Sequence, residues 1–380
     1  MKYFSHLLIL LLVVSFATTD SYGEDSEKER EVVKIGAIIP LTGGQAARGQ
    51  DIAKLLKTLE RHFDEMQLGY HYRFIVEDGQ CGAGHAATTA AMKLINIDKV
   101  KFLLTGCSGE TLQAGPLAER NKILNIAVLS LHQDVKTLGD YVFRTFIDIE
   151  KSVQGFADFM DSKCGGKIAV LTEENAFTFG VRDLLLKHLG AKVVYAENFT
   201  PDSSDFSTLL AKADARGARG VYLNVMSERT LANLVNDIKR RRLSQTLFSY
   251  NFPEVASFRT ATEKNSDNLY FIGAPDINNS SSEFQSVQKE FNSQHPGGPT
   301  YEFVLRTTFD AVKSIVDAIS VVSPDPTKVK DYLYSYSTLG ALGKVEYDSN
   351  GDIKDLNYVL KRVGEDGKNE IIGELVKPSS

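Results

Sequence analysis

Gly106-Cys107-Ser108-Gly109-Glu110 is the segment of this sequence closest to a catalytic motif. A serine after a predicted strand and before a predicted helix has the outline of a nucleophile elbow, but Glu110 stands where the last glycine belongs. A serine becomes a nucleophile only beside a base that is itself oriented by an acid. His132 and Asp134 are available, and no spacing argument brings them to Ser108. Binding is the better chemistry. A hydroxyl and the free N–H groups of a helix start together suit a carboxylate, and ligands of open α/β sheets sit outside the carboxyl ends of the strands. Ser108 is therefore assigned to a ligand, and no residue to catalysis.

Other motifs fail on detail. Gly43-Gly44 followed by Gly49 outlines a phosphate loop, but Gln50-Asp51 replaces the Lys and Ser/Thr that would hold phosphate and magnesium. These glycines instead turn a strand into a helix whose first N–H groups open toward a cleft. Asp348, Asn350 and Asp352 alternate like calcium ligands, yet Gly351 falls at the wrong offset and no Glu closes the loop. A hairpin turned at Asn350-Gly351, joining 345–347 to 353–360, is expected there. The basic run Lys239 to Arg242 ends a helix and complements its dipole. The chain has three cysteines, with no CxxC and no clustered His, so no metal site is expected. Cys81 and Cys107 each follow a predicted strand, so both can lie at one sheet edge; they are expected to pair and to leave Cys164 free.

The elements that must position these residues alternate. Runs at 33–39, 72–76, 100–104 and 123–129 read as strands, with helices at 52–66, 86–95 and 112–120 between them. In the first helix Ile52, Leu55, Leu56, Leu59 and Phe63 recur at helical spacing. The rhythm restarts after Arg144, with strands at 167–171, 192–199, 220–224 and 246–250 separated by helices. From Ser281 the chain is mainly helical, and Phe309, Val312, Val316 and Ile319 share one face. Such alternation implies two α/β halves, each a doubly wound parallel sheet. A length of 380 residues and 43% hydrophobic content suit two globular domains. The net charge of −6 gives no sign of nucleic acid as a partner, and Trp is absent.

The start of the chain sets the compartment. Lys2 and His6 precede an apolar run at 7–17, and Ser21 and Gly23 sit three and one positions before a cut ahead of Glu24. That is the pattern of a secretory signal peptide over 1–23, with an apolar run too short to span a bilayer. Residues 24–31 are a charged lead expected to be disordered. The product is expected to be exported and soluble.

Lys34-Ile35-Gly36 through Pro40-Leu41-Thr42-Gly43, Glu77-Asp78 with Cys81, Gly106-Cys107-Ser108, Tyr141-Val142-Phe143-Arg144-Thr145 and Asp205-Phe206-Ser207 occur in order along the chain. In this the chain resembles periplasmic solute-binding proteins of the leucine/isoleucine/valine-binding type. The resemblance implies the type I periplasmic binding protein fold: two Rossmann-like, doubly wound lobes joined by three hinge crossovers near 145–148, 273–276 and 346–348. Residues 32–146 with 275–345 would form lobe I, and 147–274 with 346–376 lobe II. It also implies the Cys81–Cys107 bridge.

The resemblance gives Ser108 to a ligand carboxylate and Glu254 to a ligand ammonium. It puts a backbone carbonyl and a hydroxyl contact at Leu131 and His132. Phe177 and Phe309 replace two lining tyrosines, and Met226 or Asn224 a third. Arg48 takes the place of an aromatic residue and is expected to fork onto a polar or anionic ligand group. The implied activity is capture of an amino acid or analogue by a monomer, without cofactor, and delivery to an ABC permease in the inner membrane. A soluble periplasmic sensor is the alternative, and a serine hydrolase a more distant one.

Overall fold

The computed structural model describes residues 30–376 apart from Asp202 and Asn268. The expected signal peptide, and the lead up to Glu29, lie outside the described residues. Glu31, expected in the disordered lead, instead opens a strand and pairs with Tyr70.

In chain order the first group of elements is β1 (Glu31–Ile39), α1 (Ala46–Glu65), β2 (Tyr70–Asp78), α2 (Ala86–Asn96), β3 (Phe102–Thr105), α3 (Ser108–Asn121), β4 (Leu124–Ala127) and β5 (Val142–Arg144). The chain then enters α4 (Glu150–Cys164), β6 (Ile168–Glu173), α5 (Ala176–Leu189), β7 (Val193–Phe199), α6 (Ser207–Ala215), β8 (Gly220–Asn224), α7 (Glu228–Arg240), β9 (Thr246–Tyr250), α8 (Ala256–Thr262) and β10 (Tyr270–Gly273). It returns to the first group with α9 (Ser282–Gln294), α10 (Glu302–Val322), α11 (Pro326–Leu333) and the short pair β11 (Thr338–Gly340) and β12 (Gly343–Val345). It ends on the second group with β13 (Val359–Val363) and β14 (Asn369–Glu374).

Two sheets result. The first is all parallel in the order β2-β1-β3-β4-β5. The second runs β7-β6-β8-β9-β10 in parallel and then adds β13 and β14 antiparallel. Both parallel parts have the doubly wound order, in which the connections leave opposite ways from the strand that starts the unit. The switch points are therefore β1/β3 and β6/β8. α1 covers the first sheet with Ile52, Leu55, Leu56, Leu59 and Phe63, all buried, and packs against α9 and α10. The turn into α1 is tight: a Cβ on Gly49 would lie 1.9 Å from the Pro40 carbonyl oxygen.

Of the expected hairpin over 345–360, only the part beside the turn forms. A turn at Asn350-Gly351 is present, with Asp348 Oδ1 accepting from the Asn350 and Asp352 N–H groups and Gly351 at φ +77°. Its second arm also pairs with β5. Arg144 N–H donates to the Gly351 carbonyl at 2.8 Å, and Ile353 N–H donates to the Arg144 carbonyl at 3.0 Å. Across the turn, Asp348 N–H donates to the Asp352 carbonyl at 2.8 Å and Lys354 N–H to the Glu346 carbonyl at 2.9 Å, a single antiparallel bridge centred on Tyr347 and Ile353. β13 instead pairs with β10 and with β14, and β5, α8, β10 and β14 are elements the sequence pattern did not reveal.

Candidate functional site

The two switch points face each other. From the first sheet, the β1–α1 turn supplies Gln45 and Arg48, the start of α3 supplies Cys107 and Ser108, and the segment after β4 supplies Leu129 and Leu131. From the second, the start of α5 supplies Phe177, the end of β8 Met226, and the end of β9 Tyr250 and Phe252. Together they enclose a cavity of about 20 Å³. That is close to the room one water needs. Polar contacts hold the two sides together: Gln45 Nε2 donates to the Met226 carbonyl, and Asn251 Nδ2 donates to the Tyr301 hydroxyl at 2.7 Å.

Arg48 is the only charged side chain in this lining and is 4% exposed. Its guanidinium carbon lies 4.9 Å from the Phe252 ring centroid and 4.6 Å from that of Tyr301. Its Nε and Nη2 are buried and have no hydrogen-bond partner among the described residues. Each aromatic face is worth about 0.5–2 kcal/mol to a desolvated cation. That is less than the several kcal/mol an ion loses on burial. A donor pair of this kind needs an acceptor, and a carboxylate matches its fork.

Ser108 is buried at the start of α3, and its Oγ accepts from the Leu131 N–H at 3.3 Å. No histidine bonds to it among the described residues. The His132 ring turns elsewhere: Nδ1 accepts from the Asp134 N–H at 3.2 Å, and the ring lies against Gly180 of α5, where a Cβ would stand 2.7 Å from its Cδ2. Burial lowers the His132 pKa, with the Asp134 charge opposing. His132 thus joins the two halves beside the cavity without lining it. Beneath Met226, Glu173 accepts from the Met226 N–H at 2.9 Å, and burial raises its pKa.

Of the residues assigned to a ligand from sequence, the structure brings Arg48, Ser108, Leu131, Phe177 and Met226 to one cavity. Besides His132, three others go elsewhere. Asn224 is buried behind the lining and donates to the Thr178 carbonyl at 2.7 Å. Phe309 is a core residue of α10, edge-on to Phe284 at 5.3 Å, because the apolar face it shares with Val312 and Val316 packs inward. Glu254 lies outside the cavity, on an open recess of about 640 Å³. Its Oε1 accepts from Lys361 Nζ at 2.8 Å and its Oε2 from the Ala274 N–H at 3.4 Å.

The sequence reading missed Gln45, Tyr250, Phe252 and Tyr301. Tyr250 and Phe252 were findable, since they follow directly on a predicted strand at its carboxyl end. Tyr301 carried no local signal. Cys81 and Cys107 are bonded, with Cα atoms 5.0 Å apart, and Cys164 is free and buried, as expected. Glu110 braces the bridge: its carboxylate accepts from the Cys81 N–H at 3.0 Å and the Cys107 N–H at 2.7 Å.

Comparison with known proteins agrees with this geometry. A family model described as periplasmic binding protein matches residues 32–368. The chain is 23% identical to an amino acid binding protein of Pseudomonas aeruginosa, over 94% of this chain and 96% of the relative. It is 26% identical to the Leu/Ile/Val-binding protein homolog 1 of Brucella suis, covering 88% and 92%. Among solved structures, a solute-binding protein of an R. palustris ABC transporter in complex with benzoate superposes with a TM-score of 0.76 at 19% identity, covering 91% and 96%. The branched-chain amino acid transporter substrate-binding protein LivJ of Streptococcus pneumoniae, in complex with isoleucine, gives 0.74 at 17%, covering 90% and 100%. At these identities the solved structures speak for the fold alone.

Proposed function

This chain belongs to the periplasmic binding protein family and has its type I fold, and from that premise we propose that it is an exported solute-binding protein of an ABC transporter. It captures a small carboxylate-bearing ligand between two lobes, 32–146 with 275–345 and 147–274 with 346–376, and delivers it to a membrane permease. The observation that carries this reading is Arg48, buried at the inter-sheet cavity with Nε and Nη2 unpartnered. The ligand carboxylate accepts from that fork and from the α3 start at Ser108, while Phe177, Met226, Tyr250 and Phe252 cover its apolar body. Isoleucine and benzoate, named for the solved neighbours, share one carboxylate and an apolar body, which supports the class. Ligand pockets of this kind occupy some hundreds of Å³, so the lobes must part to admit one and close over it.

The test is calorimetry on the purified protein with a panel of amino acids and small organic acids. Saturable binding of at least one is expected, weakened about tenfold or more in Arg48→Met. No binding across the panel, or affinity unchanged in Arg48→Met, overturns the reading. Delivery is checked separately by uptake of the bound compound into cells with and without the gene. Binding without any effect on uptake replaces delivery with a sensing role.

A further inference from the structure

The cavity lining holds a cation, Arg48, and no carboxylate. An acid that follows a strand end on the second sheet is Glu254, in the turn Phe252–Glu254 directly after β9. Its charge is already matched within the chain. Lys361, on β13, reaches Glu254 Oε1 at 2.8 Å, and the two side chains are 10% and 12% exposed. Nothing about this pair is loose. The Lys361 stem lies along Gly273 of β10, where a Cβ would meet Lys361 Cδ at 2.6 Å, so the bare glycine is what lets the lysine lie flat there. The second Glu254 oxygen is occupied by the Ala274 N–H, and Asp276, 3.8 Å from Lys361 Nζ, is largely exposed. Glu173, the other acid near the cavity, accepts from the Met226 N–H and does not line the site.

An α-amino acid brings an ammonium group that loses its hydration when the lobes close. Burying it without an anionic or acceptor partner costs several kcal/mol. A lining with Arg48 and no carboxylate also repels it. We propose that Lys361 stands in for a ligand ammonium by occupying Glu254, so that this protein selects small apolar monocarboxylates lacking an amine over the corresponding amino acids. The inference rests on the reading of Arg48 as the carboxylate anchor. It makes Lys361 and Glu254 specificity-determining residues that act without touching the ligand.

Matched pairs that differ only in the amine decide it: leucine against 4-methylpentanoate, phenylalanine against 3-phenylpropanoate, phenylglycine against phenylacetate, each titrated calorimetrically. In every pair that binds, the amine-free acid is expected to bind about tenfold tighter or more. Lys361→Met exposes the Glu254 carboxylate and is expected to narrow or reverse that ratio, and Glu254→Gln combined with Lys361→Met to restore it. Thermal melting verifies the fold of each variant, with Lys361→Gln replacing Lys361→Met if the latter does not fold. An amino acid binding tighter than its amine-free partner, in the unaltered protein, overturns the proposal and leaves the carboxylate-binding reading standing. A ratio indifferent to Lys361 overturns it as well. Binding of no compound in any pair overturns both.

Discussion

Arg144 and Asp352 meet in a two-pronged ion pair, Nε to Oδ1 and Nη2 to Oδ2 at 2.7 Å each, with Arg144 wholly buried. Their backbones are joined as well, through the Gly351 carbonyl and the Ile353 N–H. Arg144 Nη1 donates to the His132 carbonyl at 3.0 Å, and Nη2 stands 3.3 Å from Asp148. One guanidinium therefore ties together the end of the first sheet, the loop beside the cavity and the last crossing between the sheets. Removing one partner of such a pair leaves a buried charge alone. Arg144→Met is expected to cost about 3–5 kcal/mol in urea unfolding, and Arg144→Met with Asp352→Leu distinctly less. Equal losses in the two variants would mean that the packing of the arginine stem, and not the pair, sets the cost.

Stability is expected to fall as pH rises from about 5 to about 8. Burial raises the Glu110 pKa from 4.5 to about 8 and the Asp310 pKa from 3.8 to about 7, against the backbone N–H groups each accepts. A carboxyl with a higher pKa folded than unfolded holds its proton more tightly in the native state. Its contribution is complete below the unfolded value and is lost as pH passes the folded one. The limiting slope is about 1.4 kcal/mol per pH unit for each group. His132 acts in the opposite sense: its pKa is lowered by burial, so its contribution is present above 6.5 and lost below. Asp140, held low chiefly by Lys330, titrates beneath the window. Comparing urea midpoints of the unaltered chain and Glu110→Gln across this range isolates one group. The variant should give a shallower fall; parallel curves would show Glu110 ionised in the native state.

The bridge closes a loop between positions 26 residues apart. The chain-entropy relation gives about 3.5 kcal/mol for a loop of this length. Cys81→Ser with Cys107→Ser is expected to lose stability of that order in denaturant titration. It should also weaken ligand binding, since Cys107 lines the cavity and precedes Ser108. Cys164, buried and with its pKa raised by burial, should resist iodoacetamide in the native protein and react on unfolding. Rapid native labelling of Cys164 would contradict its placement.

Gly49→Ala is a backbone test of the β1–α1 turn that carries Arg48. The added methyl would overlap the Pro40 carbonyl, 1.9 Å from its oxygen and 2.6 Å from its carbon, and neither can swing aside as a side chain would. Overpacking costs of about 1–3 kcal/mol are expected in thermal or urea unfolding. Gly69→Ala, with nothing within 4 Å of the added carbon, is the control and should change little. A neutral Gly49→Ala would show that the turn is wider than described.

Local regularities made much of the fold legible. The periodicity of Ile52, Leu55, Leu56, Leu59 and Phe63 defines α1 because a helix returns to one face every three or four residues, whatever it packs on. The two cysteines after successive strands were readable for the same reason, since all parallel strands of one sheet end on the same edge, here with β1 between the two. The pairing of β13 was not. Its residues 359–363 are apolar enough to be a strand, but whether they join the turn at Asn350-Gly351 or the edge of β10 depends on groups far away in the chain. The turn keeps only its nearest pairing, Asp348 with Asp352 and Glu346 with Lys354, and 359–363 dock on β10.

The site divides along the same line. The sequence placed Arg48 and Ser108 beside strand ends, and the family resemblance added Leu131, Phe177 and Met226; in doubly wound sheets those ends converge. Only the tertiary structure decided which side chains face one another. Phe309 and Tyr301 are eight positions apart, yet Phe309 enters the core on the inward face of α10, while Tyr301, the extended residue that precedes that helix, stacks on Arg48. Glu254 looked free because its partner, Lys361, lies 107 residues on, on a strand placed only when β13 docks against β10. Charge pairing acts through space over a few ångströms and is blind to distance along the chain. The residue types were therefore written locally, while the sign of the cavity was determined by folding.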